Sequence, residues 1–435
     1  MPKTACIIPW TNLVITPDGQ ARFCCDVPRG LTVNGRTASV YRDSVDELWN
    51  ADEIVETRAA MARGERPKSC RACWKREAAG GVSRRQLVNE AYTQIGGELD
   101  VEALPEVGAD SDYRLKRRPD WFVLQMGNVC NLRCRSCDPL YSSRIAADTV
   151  QAAWSADMAA TVGSEADRHK RLARGDASAW WEDVEGMADM IASGAKGNAV
   201  LSLMGGEPFL IKHTWRLLDA LVERGVAQNL LVGLATNGQQ QSTKLAELAP
   251  RFRGFNLTLS IDAHGRLYEY LRHGASWQKL VDNICAFRQM ANVDVAVVPT
   301  LQNCNALDMV TLLRFLDQHE LRLAYNVVSW PARLSPANLP PSVRRVAAER
   351  LRAYQQEECR PPNTAVVDAY IEALEEVGDE FDDNLFGEFM AFTNDLDVSR
   401  GQSLGEVAPE LLALVHAAGV PWSQARRHTV ARAAS

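Results

Sequence analysis

Three cysteines fall within eight residues, in Cys130-Asn131-Leu132-Arg133-Cys134-Arg135-Ser136-Cys137, and no other stretch constrains the chain as strongly. The run follows a strand-like segment, Trp121 to Met126, so three thiols share one loop at the end of a sheet. Three thiolates are one short of a closed site. A cluster that normally takes four thiolates would keep one iron open to a ligand, as a catalytic centre requires. Spacing alone also leaves a zinc loop, or three incidental cysteines, as alternatives.

The chain holds eleven cysteines among 435 residues. Cys6, Cys24, Cys25, Cys70 and Cys73 precede the loop, and only Cys285, Cys304 and Cys359 are scattered. Cys6-Ile7-Ile8-Pro9-Trp10 is soon interrupted by Pro17-Asp18-Gly19, and no run reaches transmembrane length. The cysteines therefore read as metal or catalytic thiols in a cytoplasmic protein, not as disulfides. Hydrophobic content of 46% with 24% charged residues is the balance of a soluble globular protein with room for two or three domains. A net charge of −7 argues against whole-surface attraction to nucleic acid or to an anionic membrane.

Leu13 to Thr16 and Ala21 to Cys25 predict a β-hairpin around Pro17-Asp18-Gly19-Gln20. Ser44-Val45-Asp46-Glu47 is a capping box for a helix running to about Ala62. Residues 95–120 read as a linker, with a domain boundary near 115. Six strands are then expected, at Trp121 to Met126, Ala199 to Met204, Leu230 to Ala235, Phe255 to Ile261, Val293 to Val298 and Leu323 to Val328. Helical patterns at His213 to Arg224, Ser242 to Leu248, Trp277 to Met290 and Asp308 to His319 alternate with the later strands. That alternation predicts an α/β fold with a parallel sheet, and right-handed crossovers would curl it toward a partial (β/α)6 TIM-like barrel. Residues 138–198 form an insertion whose Trp154, Trp180 and Trp181 are expected to pack, with a lid as the alternative. After Pro340 come helices near Ser342 to Glu358, Thr364 to Val377 and Glu406 to Ala417. The expected division is 1–115, 116–335 and a helical 336–435.

Further unusual residues stand at the predicted strand ends, where such sheets bind ligands. Gly205-Gly206-Glu207-Pro208 follows the second strand, Thr236-Asn237-Gly238 the third, and Ser260-Ile261-Asp262 ends the fourth. The cysteine loop resembles the signature of the radical S-adenosylmethionine (SAM) superfamily, and Gly205 to Pro208 resembles that family's GGEP motif. The resemblance implies a [4Fe–4S] cluster on Cys130, Cys134 and Cys137, with SAM on the open iron. It implies reductive cleavage of SAM to a 5′-deoxyadenosyl radical that abstracts hydrogen from a substrate. It places SAM against Gly205, Gly206, Glu207 and Pro208, with Glu207 as an acceptor for the methionine ammonium, and against Asn237, Ser260 and Asp262. Ser136 departs from the family, which usually carries a bulky or aromatic residue there, near the adenine.

Cys6, Gly19 and Cys24 match the C-x12-G-x4-C hairpin of SPASM and Twitch domains, and Cys70 and Cys73 complete a set of four. That resemblance implies a second, auxiliary [4Fe–4S] cluster in an N-terminal Twitch-like hairpin and helix domain, although such domains usually follow the barrel. On spacing alone, structural zinc is the alternative. Alternation along a strand separates Cys24 from Cys25, leaving Cys25 as packing or a reserve ligand.

The functional expectation is a radical enzyme modifying a peptide or protein side chain. A small-molecule dehydrogenase using the auxiliary cluster as electron acceptor is the second reading, and a structural zinc or redox-sensing protein the third. A flavodoxin- or ferredoxin-type reductant is the expected partner, with no membrane or nucleic acid. No catalytic side chain stands out; Arg272, His273 and Arg333 lie near strand ends, where they could hold an anionic substrate, but they read first as solvent-exposed charge.

Overall fold

The structure is a computed structural model that describes residues 4–27, 30–78, 81–162 and 179–428. It is a mixed α/β fold on an eight-stranded sheet. In chain order the strands are β1 (Asn12–Ile15), β2 (Ala21–Arg22), β3 (Trp121–Gln125), β4 (Ala199–Met204), β5 (Leu230–Thr236), β6 (Gly254–Leu259), β7 (Val293–Val297) and β8 (Arg322–Leu323). Across the sheet they run β8-β7-β6-β5-β4-β3-β1-β2. Every neighbouring pair is parallel except β1 with β2.

Register explains the two faces. Phe122 stands beside Leu201, Val232 and Phe255, while Leu124 stands beside Leu203, Leu234 and Leu257. All eight are at most 1% exposed. Burying each such side chain contributes about 1.5–3 kcal/mol. The opposite face carries Val123, Ser202, Gly233 and Asn256 in register, and these are part-buried or exposed.

The helix Lys212–Glu223 buries His213, Thr214, Leu217, Leu218 and Leu221, a stripe at the 3.6-residue period. Ser242 and Ser276 cap the helices Thr243–Leu248 and Trp277–Arg288 by accepting hydrogen bonds from Leu245 and Lys279 N–H. Of the tryptophans in the insertion, Trp154 and Trp180 are buried, as the packing reading expects, and Trp181 is part-buried. The middle of that insertion lies outside the described residues. Among the described residues no helix is long and apolar enough to cross a membrane.

Several elements differ from expectation. The N-terminal hairpin is no separate sheet: Asn12 to Ile15 pair in parallel with Trp121 to Leu124. The expected linker is packed, with Leu104 and Leu115 buried. Arg58, itself buried, donates to the carbonyls of Pro9, Trp49 and Tyr113. The helix expected from Ser44 to Ala62 has its capping box but divides into Val45–Trp49 and Asp52–Ala62. At the break, the Asn50 side chain exchanges hydrogen bonds with the backbone of Leu115. The sixth strand is broken after Leu323: Ala324 N–H makes the last bond to the Val297 carbonyl and Tyr325 packs against Tyr370. Asn326–Val327 then pairs with Thr300–Leu301. An 18-residue helix, Asp383–Arg400, has no counterpart among the expected elements.

Candidate functional site

The cysteine loop leaves the C-terminal end of β3 and is held by three other parts of the chain. Arg133–Cys134 forms a short antiparallel ladder with Arg272–His273. Gln151, in the helix Thr149–Val162, donates its side-chain amide to the carbonyls of Cys134 and Cys137, each at 2.9 Å. Arg400, at the end of the C-terminal helix, donates to the carbonyl of Arg133 at 3.0 Å and pairs with Asp148 at 3.0 Å. Arg135 pairs with Asp397 at 2.5 Å while its guanidinium lies 3.7 Å from the centre of the Tyr270 ring. The 383–400 helix is thus a buttress of the loop. Its only foreshadowing in the sequence is an acidic and basic pair, Asp397 and Arg400, on one turn of a segment with no clean apolar stripe.

Gly205 to Pro208 is joined to this loop through backbone. Glu207 N–H donates to the Val129 carbonyl at 2.7 Å. A Cβ on Gly206 would stand 2.3 Å from that same carbonyl oxygen, so only glycine allows the approach. Glu207 is fully buried, and its carboxylate accepts from Thr236 Oγ1 at 2.7 Å, Asn237 N–H at 2.8 Å and Phe209 N–H at 3.1 Å. Its carboxylate therefore fastens the turn to the end of β5. Asn237 closes the circuit by donating to Asn131 Oδ1, inside the cysteine loop, at 2.8 Å. Pro208 is buried and opens the turn Pro208–Leu210. Ser260 follows β6, its N–H donating to the Thr236 carbonyl at 2.9 Å.

Asp262 faces a cation. Its Oδ2 lies 2.9 Å from Arg272 Nε, and its Oδ1 accepts from Thr300 N–H at 3.1 Å. Arg272 Nη1 in turn lies 3.7 Å from Cys134 Sγ. The expectation that Arg272 and Arg333 are solvent-exposed is overturned, since both are buried. His273 is part-buried and accepts from Arg133 Nη2 at 2.7 Å; burial and the nearby arginines push it down to about 4.

Cys130, Cys134 and Cys137 are free thiols. Burial raises all three above the ordinary thiol range, Cys134 to about 11. Three part-buried thiols on one loop, with a cation against one sulfur, suit a metal centre that takes them as thiolates.

The N-terminal cysteines form a second gathering. Cys6, Cys24, Cys70 and Cys73 line one cavity of about 410 Å³, counted to its open mouth, together with Arg84 and Arg85. The 3-10 turn Lys68–Cys70 leads into the helix Arg71–Ala78, bringing Cys70 and Cys73 to the same wall. Arg85 braces that wall through Glu77 and the Ala5 carbonyl, and Arg84 pairs with Asp26 at 2.8 Å. Cys25 does not pack: it is exposed, its sulfur 3.7 Å from Asp26 Oδ1. Among the described residues no three His, Cys, Asp or Glu side chains are gathered about the position of a single ion. Four thiols share this cavity, with Asp26 and Ser69 also on its wall and Asp26 engaged by Arg84, and four thiols fit an iron–sulfur cluster.

The SPASM family, an iron-sulfur cluster-binding domain, matches residues 6–74. No curated protein matches the chain. Among solved structures, the chain is similar to anSMEcpe with bound AdoMet, at 14% identity and a TM-score of 0.39, over 55% of this chain and 60% of that one. It is also similar to SuiB of Streptococcus suis bound to S-adenosylmethionine, at 15% identity and a TM-score of 0.37, over 70% and 64% of the two chains. SuiB bound to the precursor peptide SuiA matches at 13% identity and a TM-score of 0.36, over 80% and 72%. The match to the first of these spans less than two thirds of that protein's length. The matched family is described as binding an iron-sulfur cluster, and the first two of those solved structures hold AdoMet. Residues 6–74, which carry Cys6, Cys24, Cys70 and Cys73, therefore form a region similar to the SPASM iron-sulfur cluster-binding domain.

Proposed function

We propose that this chain reductively cleaves SAM and uses the product to take a hydrogen atom from a peptide or protein side chain. The observation that carries the reading is the backbone junction between Val129 and Glu207, which fuses the cysteine loop and the Gly205 turn into one site. Cys130, Cys134 and Cys137 would hold the SAM cluster, and Cys6, Cys24, Cys70 and Cys73 the auxiliary one. When bound, SAM and its cluster supply a one-electron cleavage and a hydrogen-abstracting fragment. The chain's own residues orient and enclose. Gly205 and Gly206 bring a backbone edge to the ligand. Glu207 and Asn237 lock that edge to the loop, and Asn237, Ser260 and Asp262 line the strand ends beside it.

The part-exposed sheet face of Val123, Ser202 and Gly233 is read as the interior of a partial barrel, which would keep the reacting groups away from bulk water. A peptide substrate is what the sequence resemblance to SPASM and Twitch modules implies, and residues 6–74 match the first of these. The test is anaerobic reconstitution with iron and sulfide, followed by SAM and a strong reductant. The wild-type chain should form 5′-deoxyadenosine and Cys134→Ala should form none. A chain that takes up zinc and cleaves no SAM would overturn the reading.

A further inference from the structure

We propose that a pocket beside the cysteine loop binds a carboxylate group through Arg333, an inference that rests on the reading of that loop as the SAM-cleaving site. Arg333 stands on the short turn Ala332–Leu334 and is only 4% exposed. Its Nε has no hydrogen-bond partner, and no carboxylate of a described residue forms an ion pair with its guanidinium. What it touches are aromatic rings, at 4.9 Å from the centre of Trp154 and 4.6 Å from that of Phe392.

The other buried arginines around the loop are compensated. Arg135 has Asp397, Arg272 has Asp262 and Arg400 has Asp148. Glu388 and Asp157 act on Arg333 only at a distance, and Arg427 opposes them. A buried charge without a counter-charge is strongly unfavourable. Aromatic faces offset part of that cost and accept no hydrogen bond.

Arg333 lines a pocket of about 330 Å³, counted to its open mouth, together with Ser136, Cys137, Gln151 and Trp330. Ser136 leaves space where a bulky side chain would fill the pocket, and its hydroxyl adds a donor. Asp138 also lines the pocket, with one carboxylate oxygen accepting from Leu140 N–H at 2.8 Å. One uncompensated positive charge with a planar fork of donors matches a singly charged carboxylate better than a phosphate dianion.

On the proposed function, two molecules would bring a carboxylate to this site: SAM and an amino-acid or peptide substrate. Acetate is the probe, followed by saturation-transfer NMR on the reconstituted, oxidised holoprotein, with acetamide as the uncharged control. Acetate should bind the wild type. Binding should weaken roughly tenfold or more in Arg333→Gln and be partly retained in Arg333→Lys, with iron content unchanged in both. If saturating SAM displaces acetate, and Arg333→Gln weakens SAM binding, the occupant is SAM's carboxylate. If acetate still binds beside SAM, the occupant is the substrate's. Equal acetate binding in wild type and Arg333→Gln, or none in the wild type, overturns the site. Since acetate binding requires no SAM cleavage, a failed radical assignment would show separately.

Discussion

Asn237, at the end of β5, donates its side-chain amide to Asn131 Oδ1 at 2.8 Å, across 106 positions of sequence. Together with the Glu207 to Val129 backbone bond, it ties the Gly205 to Pro208 turn to the loop bearing Cys130, Cys134 and Cys137. Replacing Asn237 by Ala should leave Asn131 without its partner and cost about 1–3 kcal/mol of stability. Differential scanning calorimetry should show the lowered melting temperature. Iron content should stay near the wild-type value while the rate of SAM cleavage falls.

Removing the auxiliary set should separate the two cysteine groups. Cys70→Ala with Cys73→Ala is expected to lower iron from about eight to about four per chain, on the basis of two four-iron clusters. SAM cleavage should survive and substrate turnover should stop. Iron analysis and product chromatography check the two halves, and unchanged iron would refute the auxiliary site.

Asp397 accepts from Arg135, Tyr270 and the Leu404 amide, so Asp397→Ala strands a buried guanidinium next to Cys134. The expected loss is about 3 kcal/mol or more. Chemical denaturation measures it, and the variant should also lose the 130–137 cluster faster on dilution.

Arg272 donates toward Cys134 Sγ and is balanced by Asp262. Hydrogen bonds to cluster sulfurs set reduction potential. Arg272→Gln combined with Asp262→Asn keeps the pair neutral and removes the positive end of this contact. The midpoint potential of the SAM cluster should become more negative, as read by an EPR-monitored redox titration.

In the N-terminal module, Arg36 beside Asp43 holds its carboxyl below the ordinary carboxylate range, aided by the Ser39 amide. The folded-state value is lowered, so the contribution is fully present above the unfolded value near 3.8 and is lost as pH falls through the folded value. Asp43→Asn should therefore be less stable than wild type at neutral pH, and the gap should close on acidification. Thermal melts at a series of pH values show it.

The central strands and the helices that follow them are legible because their signals are local: period-2 and period-3.6 apolar runs with Ser caps at Ser242 and Ser276. The two cysteine groups are legible because thiols are few and clustered. The helix Asp383–Arg400 is not, because it buries Thr393 and Asp395 beside its phenylalanines and so blurs the apolar stripe. Asp395 is satisfied by Trp154 and by the backbone of Arg427 and His428, partners that only tertiary folding supplies. For the same reason Arg272 and Arg333 look like surface charge in sequence. The union of the N-terminal hairpin with the main sheet is equally hidden, since a parallel pairing of β1 with β3 across about a hundred residues leaves no local mark.

The central claim is that two separate cysteine sets hold two clusters and that only the one on Cys130, Cys134 and Cys137 meets SAM. EPR spectroscopy of the reduced Cys70→Ala, Cys73→Ala protein, with and without SAM, tests it most directly. The account predicts one cluster signal whose g-values shift when SAM is added. A signal indifferent to SAM, or a protein that holds zinc and gives no cluster signal, would contradict it.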